Sequence, residues 1–238
     1  MQCVILAGGL GKRLHPLTET LPKALVPING RAFIDYQLAC LARQSIGEVV
    51  VCTGYLGEQI ANHVGEGSRF GLAVRYCQER TELKGTAGAL RLALDAGLLT
   101  DAFFVLYGDS FLPIAFAPVF EQFRASGRPA LMTVMRNENR WDRSNVIFAP
   151  PVIELYDKHG DDVVRARMTH IDYGLSVIAR RLIANCVPAG VAFDLADLFH
   201  VLSRSGELAG FEVTERFYEV GSQAGIADFS RYAAEAGL

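Results

Sequence analysis

A glycine-rich turn and two cationic side chains stand close together in residues 4–28, which read VILAGGLGKRLHPLTETLPKALVPI. Glycines let several backbone N–H groups converge on one anion, because no side chain blocks the approach. Arg13 follows the turn directly, and Lys23 lies in a segment that prolines stiffen. Two fixed cations beside a phosphate-binding turn suit phosphoryl or nucleotidyl transfer, in which negative charge builds up around phosphorus.

Two common phosphate-binding motifs do not account for this turn. A P-loop requires GxxxxGK followed by Ser or Thr, but Leu6 stands at the first glycine position and Arg13 stands after the lysine. A dinucleotide-binding fingerprint requires GxGxxG, but Leu14 stands at its last glycine position. The turn therefore indicates a phosphate site of another kind.

Two later segments add candidate ligands at the ends of predicted elements. Asp109 ends the apolar run AFFVLYGD, where it is either an ordinary turn residue or a ligand. Because the carboxyl ends of parallel strands meet at one edge of a sheet, Asp109 is expected near the glycine turn. In KGTAGALRLAL, Thr86 is predicted to cap a helix whose free N–H groups face a ligand, although an ordinary capped helix fits the same residues.

The composition argues against several classes of protein. The chain of 238 residues has 23 Lys and Arg against 26 Asp and Glu, whereas nucleic-acid-binding proteins normally need a basic excess. The first residues lack the basic region of a signal peptide, and no apolar run is long enough to span a bilayer. The cysteines form no CxxC pair, and the histidines have no metal-binding spacing. We therefore expect a cytoplasmic protein with reduced cysteines and without a nucleic-acid or membrane partner.

The elements that must position these residues change in character along the chain. The first half alternates strand-like and helical patterns, which predicts parallel strands joined by crossovers. Its strands are predicted over residues 3–7, 48–53, 72–77 and 102–110, and its helices over residues 33–43, over residues 56–64 and from Thr86. Closely spaced strands in the second half predict antiparallel additions, with helices over residues 194–203 and 223–236. We expect one α/β domain over residues 1–238, with a Rossmann-like, mixed but mostly parallel sheet covered by helices on both faces.

The opening stretch resembles the signature of the sugar-1-phosphate nucleotidylyltransferases, AGG-x-G-x-R-L-x-P-L-T…P-K-x-L-x-P. The glycines, Arg13, Thr18 and Lys23 fall in register with it. The resemblance implies a GT-A-like fold of the nucleotide-diphospho-sugar transferases, in which residues 1–110 bind the nucleotide and residues 111–238 bind the sugar phosphate. Among these enzymes, the chain most resembles the short heptose-1-phosphate guanylyltransferases and their muramate-1-phosphate uridylyltransferase relatives.

The resemblance implies a nucleotide site at the glycine edge of the sheet. Its residues would be Leu6, Ala7, Gly8, Gly9, Gly11, Lys12, Gln78, Glu79, Gly85 and Thr86. Gln78 and Glu79 are the candidates for the edge of the base. Lys12 stands where the family usually has Thr or Ser, and it either touches the outgoing phosphates or points to solvent.

The resemblance also implies a catalytic centre that binds a metal ion. Arg13, Lys23 and Asp109 would be catalytic, with Arg13 neutralising the pyrophosphate and Lys23 steering the sugar phosphate. Asp109 and Glu219 would hold Mg²⁺, which takes only one or two protein carboxylates beside phosphates and water. Glu219 stands where the family usually has aspartate, and an ordinary surface glutamate is the alternative interpretation.

The sugar-phosphate site implied by the resemblance differs most from the family pattern. Its residues would be Asn145, Lys158, Asp172 and Gly174. Asp172 replaces the usual asparagine, and Ser144 and Asn145 replace a common Tyr-Gly pair, so we expect an altered sugar pocket.

The implied reaction joins an NTP to a sugar 1-phosphate and releases pyrophosphate, with GTP and a heptose or hexose 1-phosphate as the expected pair. A cytidylyltransferase acting on a non-sugar phosphate and a non-catalytic, nucleotide-sugar-binding regulatory subunit stay open as alternatives. A glycosyltransferase would normally show an Asp-x-Asp motif, whereas YGDS offers one carboxylate. Assembly into a homo-oligomer is also left open.

Overall fold

The computed structural model of the chain describes residues 1–79 and 82–238. The strands are β1 (Gln2–Ala7), β2 (Pro27–Ile28), β3 (Arg31–Ala32), β4 (Glu48–Thr53), β5 (Ala73–Gln78), β6 (Ala102–Tyr107), β7 (Ser110–Phe111), β8 (Ala130–Arg136), β9 (Val146–Ala149), β10 (Val152–Tyr156), β11 (His170–Ala179), β12 (Leu208–Val213) and β13 (Tyr218–Glu219). The α-helices are α1 (Phe33–Arg43), α2 (Gly57–Val64), α3 (Gly85–Asp95), α4 (Ala117–Ser126), α5 (Asp162–Arg165), α6 (Arg180–Cys186), α7 (Leu195–Arg204) and α8 (Gln223–Glu235). In this part of the chain no helix has both the length and the apolar character needed to cross a membrane.

One sheet runs through both halves of the chain, with the strand order β5-β4-β1-β6-β11-β8-β12-β10-β9. Strands β5, β4, β1 and β6 are parallel neighbours, as the alternating pattern predicts. Strand β11 is antiparallel to both β6 and β8, and β10 is antiparallel to β12 and β9. The mixed, mostly parallel α/β sheet expected from the sequence is therefore confirmed.

The second half departs from the prediction at β12. This strand is parallel to β8, from Leu208 beside Ala130 to Val213 beside Met135, whereas antiparallel additions were expected. The strand-like stretch GFEVTERFYEV, residues 210–220, is divided between two strands, β12 and β13. The chain leaves the main sheet between them because β13 pairs with β7 in a separate two-stranded antiparallel sheet, the β7–β13 strand pair.

The sheet is buried on both faces because successive side chains of a strand point to opposite sides. Cys3 and Ile5 of β1 pack in a core with α1, α2 and α4, whereas Val4 packs in a second core with α3, α6 and α7. A third cluster lies under α8, where Phe229 packs against the rings of residues of α1 and β7. Helices therefore cover both faces of the sheet, as predicted, and α8 packs between the β7–β13 strand pair and α1.

Candidate active site

The glycine turn and the Gly108–Asp109 turn lie side by side at the carboxyl edge of β1 and β6. A Cβ atom on Gly108 would lie only 2.8 Å from the carbonyl oxygen of Leu6, so the position requires glycine. Gly108 N donates a hydrogen bond of 2.9 Å to that same oxygen. This close backbone approach fixes where Asp109 emerges from the sheet.

Lys23 and Asp109 form an ion pair at this edge. Lys23 Nζ lies 2.6 Å from Asp109 Oδ2, and both side chains are about one fifth exposed. Lys23 begins a short 3₁₀ turn directly after Pro22, whose backbone is extended. The proline-bearing segment thus holds the ammonium group against Asp109 rather than in open solvent.

Glu219 reaches the same place through the β7–β13 strand pair. This pairing sets Glu219 opposite Ser110, and Val220 N donates to the carbonyl oxygen of Asp109 at 2.9 Å. Burial raises the pKa of Glu219, the nearby Asp109 carboxylate raises it further, and Arg13 and Lys23 act in the opposite direction. Two carboxylates and two cations therefore share one half-buried space.

These residues fit a divalent cation of the kind that the sequence resemblance implies. Among residues 1–79 and 82–238, no group of three or more His, Cys, Asp or Glu side chains forms a metal cage. The pair of Asp109 and Glu219 still matches Mg²⁺, which commonly keeps water and substrate phosphates as its other ligands. The mutual repulsion that raises the pKa of Glu219 is the kind that a bound cation would relieve.

Two cavities meet at Asp109. The smaller has a volume of about 240 Å³, and of the predicted site residues it is lined by Leu6, Ala7, Gly8, Gly9, Lys23, Glu79, Gly85, Thr86 and Asp109. The larger has a volume of about 710 Å³, and its predicted lining residues are Arg13, Thr86, Asp109, Asn145, Lys158, Asp172, Gly174 and Glu219. Thr86, Tyr107 and Asp109 line both cavities. The charged cluster therefore stands where two ligands could touch.

Three predicted nucleotide residues line neither cavity. Gly11 has a φ of 62° and starts the 3₁₀ turn Lys12–Leu14, and its carbonyl oxygen accepts a hydrogen bond from Thr18 Oγ1. Lys12 is exposed on that turn, and Gln78 is exposed at the end of the edge strand β5. The structure gives Gly11 a role in turning the chain and brings none of the three to a cavity wall.

The amino end of α3 differs from the sequence-based expectation. Lys84, not Thr86, stands at the N-cap. Asp194 Oδ1 accepts hydrogen bonds from Thr86 N at 3.0 Å and Thr86 Oγ1 at 3.2 Å, and the carbonyl oxygen of Phe193 accepts from Ala87 N at 2.9 Å. A distant segment therefore occupies donors that were expected to face a ligand. Sequence reasoning missed Asp194 because it treated this residue only as the first residue of the helix predicted over residues 194–203.

Glu79 also lines the smaller cavity. Its Oε1 accepts a hydrogen bond of 2.6 Å from Lys84 N, and a Cβ atom on Gly8 would lie 2.9 Å from its Oε2. Burial raises the pKa of Glu79, whereas the hydrogen bond and the charge of Lys84 lower it. The neighbouring Arg80 and Thr81 lie outside the described residues. One carboxylate oxygen is thus tied to the loop while the other faces Gly8.

The predicted sugar-phosphate residues come together in the larger cavity. Asn145 Oδ1 accepts a hydrogen bond from Asp172 N, and Asp172 Oδ1 accepts one from Gly174 N, both at 2.9 Å. Burial raises the pKa of Asp172 to about 6, although Gly174 N and the charge of Lys158 lower it. Gly174 has a φ of 100°, which few other residues adopt. A partly buried carboxylate therefore replaces the neutral amide that is usual at this position.

Gln37 is a buried residue that the sequence did not single out. From α1, its Nε2 donates hydrogen bonds to the carbonyl oxygens of Tyr107 at 2.9 Å and Ser110 at 2.8 Å. These two carbonyls flank Asp109, so one amide group spans the turn that carries the carboxylate. No sequence signal marks this contact, because α1 and the turn are about 70 residues apart.

Arg216, which lines the larger cavity, is a further residue that sequence reasoning missed. The guanidinium carbon of Arg216 lies 3.9 Å from the ring centroid of Trp141 and 5.0 Å from that of Tyr218. Arg216 Nη2 also donates to Asp228 Oδ2 at 2.6 Å. The aromatic rings and the carboxylate hold this cation in one orientation.

Comparison with known proteins places this geometry in a family. The family model described as nucleotidyl transferase matches residues 2–144, which include the glycine turn, Lys23 and Asp109. The chain belongs to the nucleotidyl transferase family. The match ends before Asp172 and Glu219 in the second half of this nucleotidyl transferase.

Two curated relatives share about a third of their residues with this nucleotidyl transferase. One is the N-acetylmuramate alpha-1-phosphate uridylyltransferase of Neisseria meningitidis, 36% identical over 121 residues, or 51% of this chain and 52% of the relative. The other is the D-glycero-alpha-D-manno-heptose 1-phosphate guanylyltransferase of Aneurinibacillus thermoaerophilus, 33% identical over 123 residues, or 51% of this chain and 52% of the relative. The chain therefore spans about half the length of these curated relatives.

A solved structure shows that the fold of this nucleotidyl transferase extends over the whole chain. HddC from Yersinia pseudotuberculosis, complexed with GMP-PN, superposes with a TM-score of 0.77 and 21% sequence identity. The superposition covers 97% of this chain and 98% of that one. The GT-A-like fold expected from the sequence is confirmed.

Proposed function

We propose that this nucleotidyl transferase joins an NTP to a sugar 1-phosphate and releases pyrophosphate. The observation that carries the proposal is the meeting of two cavities at Asp109, beside Lys23 and Glu219. A reaction between two anionic substrates needs two adjoining pockets with fixed cations where they meet. Both curated relatives described above bear the names of enzymes that act on sugar 1-phosphates.

The two cavities suit the two substrates. The smaller lies against the glycine turn, so we assign it to the nucleotide and residues 1–110 to nucleotide binding. The larger is lined by Asn145, Lys158 and Asp172, so we assign it to the sugar phosphate and residues 111–238 to that substrate. Residues 1–238 then act as one catalytic domain.

The chemistry requires charge stabilisation rather than a general base. The sugar phosphate is already ionised, so its oxygen attacks the α-phosphorus of the NTP while the bond to the departing pyrophosphate breaks. Lys23 shares the charge that develops, and Arg13, on the wall of the larger cavity, neutralises pyrophosphate. Asp109 and Glu219 would hold a divalent cation, proposed to be Mg²⁺, which supplies further neutralisation of phosphate charge when bound.

Glu79 favours guanine as the base. The edge of guanine presents two adjacent N–H groups, and a carboxylate accepts both, whereas uracil and thymine present one. Glu79 lines the smaller cavity with Oε2 facing Gly8. One curated relative is a guanylyltransferase for a heptose 1-phosphate, and the superposed structure holds GMP-PN. We therefore propose GTP with a heptose or hexose 1-phosphate as the preferred pair.

The test is a measurement of pyrophosphate release with Mg²⁺. GTP, UTP, dTTP, CTP and ATP are each combined with hexose, heptose, N-acetylmuramate and amino-sugar 1-phosphates. We expect turnover with GTP and one neutral sugar 1-phosphate, and a shift away from GTP in Glu79→Gln. Silence with every pair, together with NTP binding detected as thermal stabilisation, would reject sugar-phosphate transfer. It would favour a non-sugar phosphate acceptor or a regulatory subunit.

We also propose a cytoplasmic location. Cys3, Cys40, Cys52 and Cys77 are buried free thiols, and Cys186 is an exposed free thiol. Free thiols persist in a reducing compartment, where sugar phosphates and nucleotides are also found. Fractionation of cells that express the chain, followed by immunodetection, tests this assignment.

A further inference from the structure

We infer that Asp194 selects ribonucleoside over 2′-deoxyribonucleoside triphosphates by accepting hydrogen bonds from the ribose hydroxyls. The inference rests on the proposed function, because it assigns the smaller cavity to the nucleotide. It adds a specificity residue at a position outside the motifs that carry the family resemblance.

Asp194 lines the smaller cavity together with two pairs of neighbouring residues. Glu79 and Gly8 form one pair, and Lys23 and Asp109 form the other. We assign the base to the first pair and the phosphates to the second, which leaves the remaining wall to the ribose that joins them. Asp194 belongs to that wall with Thr86, which also lines the larger cavity.

The carboxylate of Asp194 is fixed in orientation by α3. Its Oδ1 accepts from Thr86 N at 3.0 Å and from Thr86 Oγ1 at 3.2 Å, and Leu195 N donates to Thr86 Oγ1 at 2.7 Å. Phe193 N further donates to the carbonyl oxygen of Lys84 at 2.8 Å. These contacts tie the segment before α7 to the start of α3, so Asp194 cannot swing freely.

The second oxygen of this carboxylate is available to a ligand. Asp194 Oδ2 accepts no hydrogen bond from residues 1–79 or 82–238, and Asp194 is exposed where it lines the cavity. A carboxylate repels phosphate, so this wall suits a neutral part of the nucleotide with O–H donors. The ribose 2′- and 3′-hydroxyls are such donors, and a deoxyribose lacks the first.

The test compares each accepted NTP with its 2′-deoxy counterpart in the intact protein. We expect the unaltered protein to prefer the ribonucleotide in kcat/KM by roughly 10- to 100-fold, the range for one hydrogen bond to a charged group. Asp194→Asn keeps an oxygen for Thr86 N but loses the charge, so the preference should fall several-fold. Asp194→Ala should nearly abolish the preference by lowering ribonucleotide turnover.

The matched control is Asp197→Asn, an exposed acid one turn further along α7 that lines neither cavity. Its ribose preference should equal that of the unaltered protein. A proportional loss of activity with both sugars in the Asp194 variants would show that the carboxylate only caps α3, and it would overturn the inference.

Equilibrium binding separates this inference from the proposed function. Calorimetric titration with NTP and 2′-dNTP, without any sugar phosphate, measures the same preference when no turnover occurs. Preferential binding of NTP that Asp194→Asn removes would support the inference even where every transfer assay is silent. Equal affinity for NTP and 2′-dNTP in the unaltered protein, or no binding of either, would overturn it.

Discussion

Asp109 is held through its carboxylate and through its backbone. Lys23 Nζ lies 2.6 Å from its Oδ2, and Val220 N donates to its carbonyl oxygen at 2.9 Å. The ion pair is about one fifth exposed on each side, so water screens it less than a fully exposed surface pair. The carboxylate is therefore oriented before a substrate arrives.

Replacement of this carboxylate should remove activity without unfolding the chain. We expect Asp109→Asn to lower kcat for pyrophosphate release by about 10²–10³-fold, because the amide carries no charge to balance Lys23 or to hold a cation. Asp101→Asn is the matched control, since Asp101 lies just before β6 with a side chain that is 92% exposed. That control should stay within about twofold of the unaltered protein. Equal rates in the two variants would contradict the assignment of Asp109.

The raised pKa of Asp172 predicts that the free energy of unfolding depends on pH. Its pKa is about 6 in the folded chain against 3.8 ordinarily, so the folded state holds the proton more tightly than the unfolded state. The contribution of this group to the free energy of unfolding is therefore present below about pH 4 and is lost as the pH rises through about 6. Asp172→Asn lacks a titrating group, so its stability relative to the unaltered protein should increase between those values.

Urea denaturation of both proteins at several pH values between 4 and 7 measures this difference. Parallel stability profiles for Asp172→Asn and the unaltered protein would show that the carboxylate titrates normally. Asp157→Asn is a suitable control, because Asp157 directly precedes Lys158, which lines the same cavity as Asp172.

At the scale of elements, α1 controls the turn at the end of β6. Gln37 spans the carbonyl oxygens of Tyr107 and Ser110, and Gln44 makes a similar pair of contacts further along, to Ile114 O and Phe116 N. The two glutamines therefore join α1 to the same connection, but only Gln37 brackets Asp109. They form a natural pair for separating stability from activity.

We expect Gln37→Leu to lower kcat by roughly tenfold, because a shift of the Asp109 turn misplaces the charged cluster. Gln44→Leu should cost a similar free energy of unfolding, about 1–3 kcal/mol for buried groups left unpaired, with little change in kcat. Steady-state kinetics and urea denaturation of both variants provide the comparison. An equal fall of kcat in the two variants would show that the contacts of Gln37 to the Asp109 turn have no specific effect on activity.

The sequence predicts elements well where local pattern and tertiary structure agree. The bounds of α1 and β4 match the prediction, and the alternating first half gives its parallel strands correctly. Helices α4, α5 and α6 were not predicted, although Pro near the start of α4 and Gly127 after it are typical helix boundaries. The direction of β12 could not be predicted, because pairing with β8 depends on a distant partner that local periodicity does not identify.

The sequence indicates a site residue where a local motif carries its chemistry. Lys23 and Asp109 stand in motifs whose spacing carries their chemistry, and the structure brings them to 2.6 Å. Asp194 and Gln37 contact residues more than 100 and about 70 positions away, respectively, so no motif contains both partners. The assignment of Thr86 as a cap was wrong because α3 begins earlier, at Gly85, and because Gly88 N, a donor that a cap at Thr86 would bind, donates to the carbonyl oxygen of Phe193.

At the scale of the molecule, α8 links the end of the chain to the site. Phe229 packs edge-on against Phe33 and Tyr36 of α1 at 5.2 and 5.3 Å between ring centroids, and lies 4.9 Å from Phe111 of β7. Because β7 pairs with β13, which carries Glu219, the aromatic cluster supports the β7–β13 strand pair of the site. Packing far from the cavities therefore contributes to their geometry.

Removal of this ring should affect stability and activity together. We expect Phe229→Ala to lower the free energy of unfolding by about 3–5 kcal/mol, the range for a buried aromatic side chain. Activity per folded molecule should also fall, since the β7–β13 strand pair loses the ring that packs against it. Phe229→Leu, which keeps most of the apolar volume, should recover much of both. Full activity per folded molecule in Phe229→Ala would show that α8 does not support the site.

The two cavities share a wall formed by Thr86, Tyr107 and Asp109, and this shared wall has a consequence for the order in which pyrophosphate and the nucleotide-sugar leave. Under the proposed function, the nucleotide-sugar product occupies both cavities at once, whereas pyrophosphate contacts only the charged cluster. A covalently joined molecule loses its translational freedom once but keeps the contacts of two pockets. The product should therefore be the last species to leave, and an uncleavable analogue that spans both cavities should bind more tightly than either substrate alone.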